Sequence, residues 1–183
     1  MSTSNRAPWF RLWALLVGAW FAMTSTHELG HLIGGWCGGG TLVSADLWPW
    51  HLPHSLFAPD PHPLLTLWGG PLLGVGIPVL TALVLRRPWV WFIAASCVLA
   101  NGLYLATAWV AGDRYLDTPR LLEQGASPFT ISLYCFATLG WGYWTLRKTL
   151  PQIDLPFVKF DSAASSGRAP RVAPHSESND TFF

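Results

Sequence analysis

Four long apolar segments alternate with polar connections along the 183 residues of this chain. They cover residues 9–36, 64–85, 89–111 and 129–146. An α-helix needs about 20 mostly apolar residues to cross a bilayer, and the pattern predicts four such spans. The connections differ in kind. Residues 37–63, CGGGTLVSADLWPWHLPHSLFAPDPHP, predict a long irregular or short-stranded segment lying against the membrane interface. Arg86 and Arg87 before Pro88 predict a tight turn between the second and third spans. Residues 112–128 are polar and predict one short helix, with Thr118 and Pro119 as N-cap and first residue. Beyond about residue 162 the chain is Ser, Ala, Pro and Arg without periodicity, the signature of a disordered tail. The expected fold is an all-α membrane protein with about four transmembrane helices, a Gly/Pro/Trp-rich extracytoplasmic loop and a short interfacial helix. It occupies residues 1–160 as one multi-pass domain, with 161–183 as a cytoplasmic tail. No internal repeat is present.

Composition agrees with the pattern. Half of the residues are hydrophobic and 11% are charged, against roughly 25% in soluble domains. Twelve tryptophans suit a protein whose aromatic rings anchor membrane interfaces. A net charge of +1 gives no reason to expect a nucleic-acid partner; the expected surroundings are the lipid bilayer. Cys37, Cys97 and Cys135 form no CxxC pair and read as small apolar filler. Arg6 and Arg11 before an apolar run resemble a signal peptide, but cleavage after Ala22 would leave a ragged mature end, so an uncleaved helix is expected.

Lys and Arg set the orientation. With four spans, one side holds both termini with Arg6, Arg11, Arg86, Arg87, Arg147, Lys148, Lys159, Arg168 and Arg171. The other side holds Arg114 and Arg120 beside five carboxylates. Both termini are therefore placed in the cytoplasm. A short chain with no room for appended regulatory domains gives the expectation of a bacterial cytoplasmic membrane.

The first apolar segment carries TSTHELGHLIGGW (residues 24–36), and within it HExxH: His27, Glu28 and His31. On a helix, residues four apart share a face, so the two imidazoles can hold one metal ion. Zinc suits such ligands, and a catalytic zinc keeps three protein ligands and a water. Glu28 is placed to act as the base on that zinc-bound water. Ionisable residues inside a span are costly and mark function. The third ligand must lie on the same, outer side. Asp113 and Asp117 are there, as are His51, His54 and His62; His175 is on the other side.

HELGHLIGGWCGGG resembles the active-site helix of the site-2-protease-like intramembrane zinc metalloproteases. WGGPLLGVGIPVL (residues 68–80) resembles the Gly-Pro helix that follows in many members. LDTPRLLEQGASP (residues 116–128) resembles the segment bearing the third ligand. The resemblance covers about residues 18–128. It implies one zinc per chain held by His27, His31 and an Asp, with Glu28 as the general base. Asp117 fits best, since Arg120, Leu121 and Pro128 keep the family spacing from it, and Asp113 is the competitor. The chain departs from the family's Asn-Pro-Asp-Gly pattern. The implied reaction is hydrolysis of peptide bonds in a membrane protein or peptide substrate that unwinds locally. An extended substrate would pair with an edge strand from residues 41–52. Asn101, polar in mid-span, is expected to hydrogen-bond a neighbouring helix or the substrate. Gly69, Gly70, Pro71, Gly74 and Gly76 are expected to let the second span bend or pack closely on the first.

Two rival readings differ in class. A non-proteolytic membrane metal-binding protein or transporter has no need of a base at Glu28 and would want polar groups along a path. A structural membrane protein with a coincidental motif would bind no metal. No serine motif suggests a serine-type protease.

Overall fold

The computed structural model describes residues 7–48, 50 and 53–153, and the chain is mostly helical. His51, His175 and the predicted tail 161–183 lie outside the described residues. The order is α1 (Ala7–Cys37), β1 (Leu42–Asp46), β2 (His54–Phe57), α2 (Pro63–Leu85), α3 (Pro88–Ala111), α4 (Asp117–Glu123) and α5 (Pro128–Thr149), followed by a 3-10 turn at Leu150–Gln152. Each apolar segment of the sequence is one helix, with ends within a few residues of the reading above. Among the described residues, two helices are long and apolar enough to cross a membrane: α2 and α3. The polar motif in α1 and the Thr, Gly and Tyr content of α5 make those two helices less apolar.

The helix ends follow from local chemistry. Proline opens α2, α3 and α5, where its missing N–H is not needed. Gly112 closes α3 in the left-handed region at φ 66°, a conformation glycine adopts without steric cost. Inside α2, Pro71 and Pro78 interrupt the ladder of backbone bonds. The Tyr134 hydroxyl of α5 donates to the Pro71 carbonyl at 2.8 Å and ties that stretch to the bundle.

Glycine governs how α1 meets α2. Gly30 of α1 faces the backbone of Gly69 and Gly70, and Gly34 faces Leu65 and Thr66. With no side chain between them the two backbones touch. The expectation of close packing on α1 holds at Gly69 and Gly70; Gly74 instead faces Asn101 of α3, and at Gly76 a Cβ would meet nothing within 4 Å. On the opposite side, α3 and α5 approach through Gly102 against Thr138 and Gly142 against Leu99. Leu67, Leu105, Leu121, Ile131 and Cys135 form a buried cluster joining α2, α3, α4 and α5. The cysteine reading holds for Cys97 and Cys135, which are buried, while Cys37 is exposed.

The 37–63 connection is short-stranded. β1 and β2 pair antiparallel, with Ala45 opposite Ser55 and Asp46 opposite His54. The hairpin rests on α1 through Phe57, whose ring fills the space above Gly35 and Gly40.

Candidate metal centre

His27 and His31 lie one turn apart on α1, both buried, with ring centroids 4.8 Å apart. Their Nε2 atoms converge on one oxygen of a third residue. Asp117 Oδ2 is 2.9 Å from His27 Nε2 and 3.3 Å from His31 Nε2. Two ligands of a tetrahedral zinc, each bound at about 2.0–2.1 Å, lie roughly 3.3 Å apart. The two nitrogen–oxygen distances, 2.9 and 3.3 Å, are close to that spacing.

The far side of each ring is fixed. His27 Nδ1 donates to Asn101 Oδ1 at 2.8 Å, and Asn101 Nδ2 donates to the Cys97 carbonyl at 2.9 Å. His31 Nδ1 donates to the Thr66 carbonyl at 2.9 Å, a group that can only accept. With the proton held at Nδ1, each neutral imidazole turns a lone pair at Nε2 toward the Asp117 carboxylate. Three acceptor atoms then meet in a buried site with no donor among them. Such an arrangement is repulsive unless a second proton on a ring donates to the carboxylate or a metal ion sits between the three atoms. A carbonyl behind each ligating histidine is the usual support of a metal site. The residues therefore fit a zinc ion.

Asp117 reaches this position through α4. The helix begins at Asp117, two residues earlier than predicted, with Leu116 as N-cap. Thr118, expected as the cap, instead donates its hydroxyl to the Leu105 carbonyl at 2.7 Å and pins α4 to α3. Leu121 beneath it is fully buried. Burial alone would raise the Asp117 carboxyl, but the charge and N–H donation of the two rings in their protonated, metal-free form outweigh it and hold it well below the usual carboxylate range. Asp113, the competitor, is exposed, and its Oδ1 accepts from the Tyr115 N–H at 3.0 Å in a turn. His54 is exposed on β2 beside Ser44, and His62 is the exposed N-cap of α2.

Glu28 is buried beside the pair. Ligand atoms of His27, Glu28 and His31 all fall within 4.8 Å of one another, so two carboxylates are available to a metal. Geometry separates them: Asp117 touches both Nε2 atoms, whereas Glu28 Oε2 accepts from the Ser55 hydroxyl of β2 at 3.1 Å. Ser55 and Thr66 escape a sequence reading because a hairpin and a helix crossing bring them to the site. Small residues shape the rest. A Cβ on Gly70 would lie 2.5 Å from His31 Cε1, and one on Gly74 would lie 2.8 Å from Asn101 Oδ1. Compared with protein-family models, curated proteins and solved structures, the chain matches none of them.

Proposed function

We infer that this chain is an intramembrane zinc metalloprotease of the site-2-protease-like kind. The observation that carries the reading is the convergence of His27 Nε2, His31 Nε2 and Asp117 Oδ2, with Glu28 held beside them by Ser55. A zinc ion bound by those three residues would supply Lewis acidity for a water and for a scissile carbonyl. Glu28 takes the proton of the attacking water and returns it to the leaving amine. Ser55 orients the Glu28 carboxylate for both transfers. Asn101 and the Thr66 carbonyl keep the two imidazoles in the ligating tautomer.

In this reading α1 and α5 cross the bilayer together with α2 and α3. Their 31 and 22 residues extend about 46 and 33 Å at 1.5 Å per residue, and the hydrocarbon core is about 30 Å thick. The distribution of side chains supports it. Val84, Val110 and Phe136 are more than three-quarters exposed, while His27, Glu28, His31, Asn101 and Asp117 are buried. The same reading takes both termini as cytoplasmic and the hairpin and α4 as outside, by the asymmetry of Lys and Arg, in a bacterial cytoplasmic membrane. The substrate is a membrane protein or peptide. In this reading an extended substrate segment pairs with β1 along the edge away from β2.

The test is hydrolysis of a fluorogenic transmembrane peptide library by the full chain in detergent, loaded with zinc, beside Glu28→Gln. Cleavage by the wild type, lost in Glu28→Gln with zinc content unchanged, is the expected result. Cleavage that persists in Glu28→Gln would overturn it. Zinc binding without cleavage of any peptide would favour a non-proteolytic metal-binding protein.

A further inference from the structure

A groove of about 550 Å³ runs between α1 and α3 and ends at the metal centre. On α1 it follows one face from Leu16 through Trp20 and Met23 to His27 and Glu28. From Leu16 to Glu28 this is about 18 Å of helix. On α3 it is lined by Ala100 and Leu103. Its volume lies within the roughly 300–1,000 Å³ of ligand sites. Its walls are mostly apolar, with the hydroxyl residues Thr24, Ser96, Tyr104 and Thr107 among them, and its ionisable groups His27 and Glu28 stand together at one end. Trp20 and Leu103, on its rim, are each about half exposed, so it opens sideways from the bundle and not along its axis.

We propose that this groove is the specificity subsite of the site, receiving large apolar side chains of the substrate next to the scissile bond. The inference rests on the hydrolase reading above. Three features commit the groove to substrate. It is continuous with the base and one imidazole, so whatever fills it ends within reach of the reacting atoms. Its mostly apolar lining holds no charged group away from His27 and Glu28, so burying a charged side chain along it is costly. Its sideways opening admits a segment already lying in an apolar phase, with no passage through water. Ala100 sets its depth: the methyl there leaves room that a larger side chain would take. Trp20 and Leu103 set its width.

The experiment uses the full-length chain in detergent, loaded with zinc, and a series of hydroxamates as probes. Acetohydroxamate reports the metal alone; hexanohydroxamate and 4-phenylbutanohydroxamate add apolar tails. Affinity is read by competition in the wild type, in Ala100→Phe, and in Leu103→Ala, which trims the rim without adding bulk. The expected result is a gain of at least about tenfold from acetohydroxamate to the phenylbutyl probe in the wild type, the worth of burying one large apolar group. Ala100→Phe removes that gain while zinc content and acetohydroxamate affinity stay unchanged. Leu103→Ala reduces the gain by a smaller factor. A wild type indifferent to the tail overturns the proposal and leaves the groove to lipid. A gain that survives Ala100→Phe overturns it by moving the tail elsewhere. Failure to take up zinc or bind acetohydroxamate in the wild type instead sinks the hydrolase reading on which the subsite depends.

Discussion

Replacing Gly30 by alanine should damage the metal centre although Gly30 ligates nothing. A Cβ at residue 30 would lie 2.6 Å from the carbonyl carbon of Gly69 and 2.8 Å from the Cα of Gly70, and would overlap the Gly69 oxygen more deeply. Carbon atoms in contact prefer about 3.5–4.0 Å. Relief therefore requires α1 and α2 to separate by roughly 1 Å. Backbone on both sides leaves no flexible side chain to yield. The same separation stretches the bond from His31 Nδ1 to the Thr66 carbonyl, now 2.9 Å, beyond hydrogen-bonding range. Overpacking of this kind typically costs about 1–3 kcal/mol of stability. Loss of a histidine's outer partner typically costs about 10–100-fold in metal affinity. The assay is a zinc competition titration with a chromophoric chelator on the full chain in detergent, with circular dichroism to confirm helix content. Gly76→Ala is the control, since its Cβ would meet nothing within 4 Å. Zinc affinity in Gly30→Ala equal to that of Gly76→Ala would refute the reasoning.

Other perturbations separate the supporting groups. Asn101→Leu removes the acceptor for His27 Nδ1 and should weaken zinc about 10–100-fold, whereas Asn101→Asp keeps an acceptor and should retain most of the affinity; equal losses in the two variants would contradict the positioning role. Ser55→Ala should lower peptide hydrolysis by about tenfold or more, the worth of one hydrogen bond to a charged group, with zinc content unchanged, and a loss of zinc instead would place Ser55 in the metal site. Acidification should release zinc, because protons compete with the metal for its nitrogen ligands. Asp117, held low by the two imidazoles, stays ionised through that range, so the log of affinity should fall by no more than two per pH unit. A steeper fall would mean that the carboxylate protonates as well.

The helices were legible because each is a long apolar segment bounded by Pro, Gly or charge, and those signals are local. His27, Glu28 and His31 were legible for the same reason: one helical turn brings them together whatever surrounds them. For the third candidate ligand the sequence favoured Asp117, with Asp113 as the competitor. What separates them is tertiary. Thr118 spends its hydroxyl on Leu105 of α3 instead of capping its own helix, and Leu121 buries α4 against the core, which swings Asp117 inward. Asp113 is left to a turn with Tyr115. Asn101 was visible as a polar residue in mid-span, but not that it faces His27. Ser55 and Thr66 gave no signal, since one is a hydroxyl on a hairpin strand and the other acts through its backbone carbonyl. Their partners lie 27 and 35 residues away in the chain.

The central claim is that His27, His31 and Asp117 together hold one zinc ion. The most direct test is metal content by mass spectrometry of the full chain purified in detergent with zinc supplied, for the wild type, His27→Ala, Asp117→Ala and Asp113→Ala. About one zinc per chain in the wild type and Asp113→Ala, lost in His27→Ala and Asp117→Ala, is the predicted result. Wild-type protein without zinc, or zinc retained in Asp117→Ala, would contradict it.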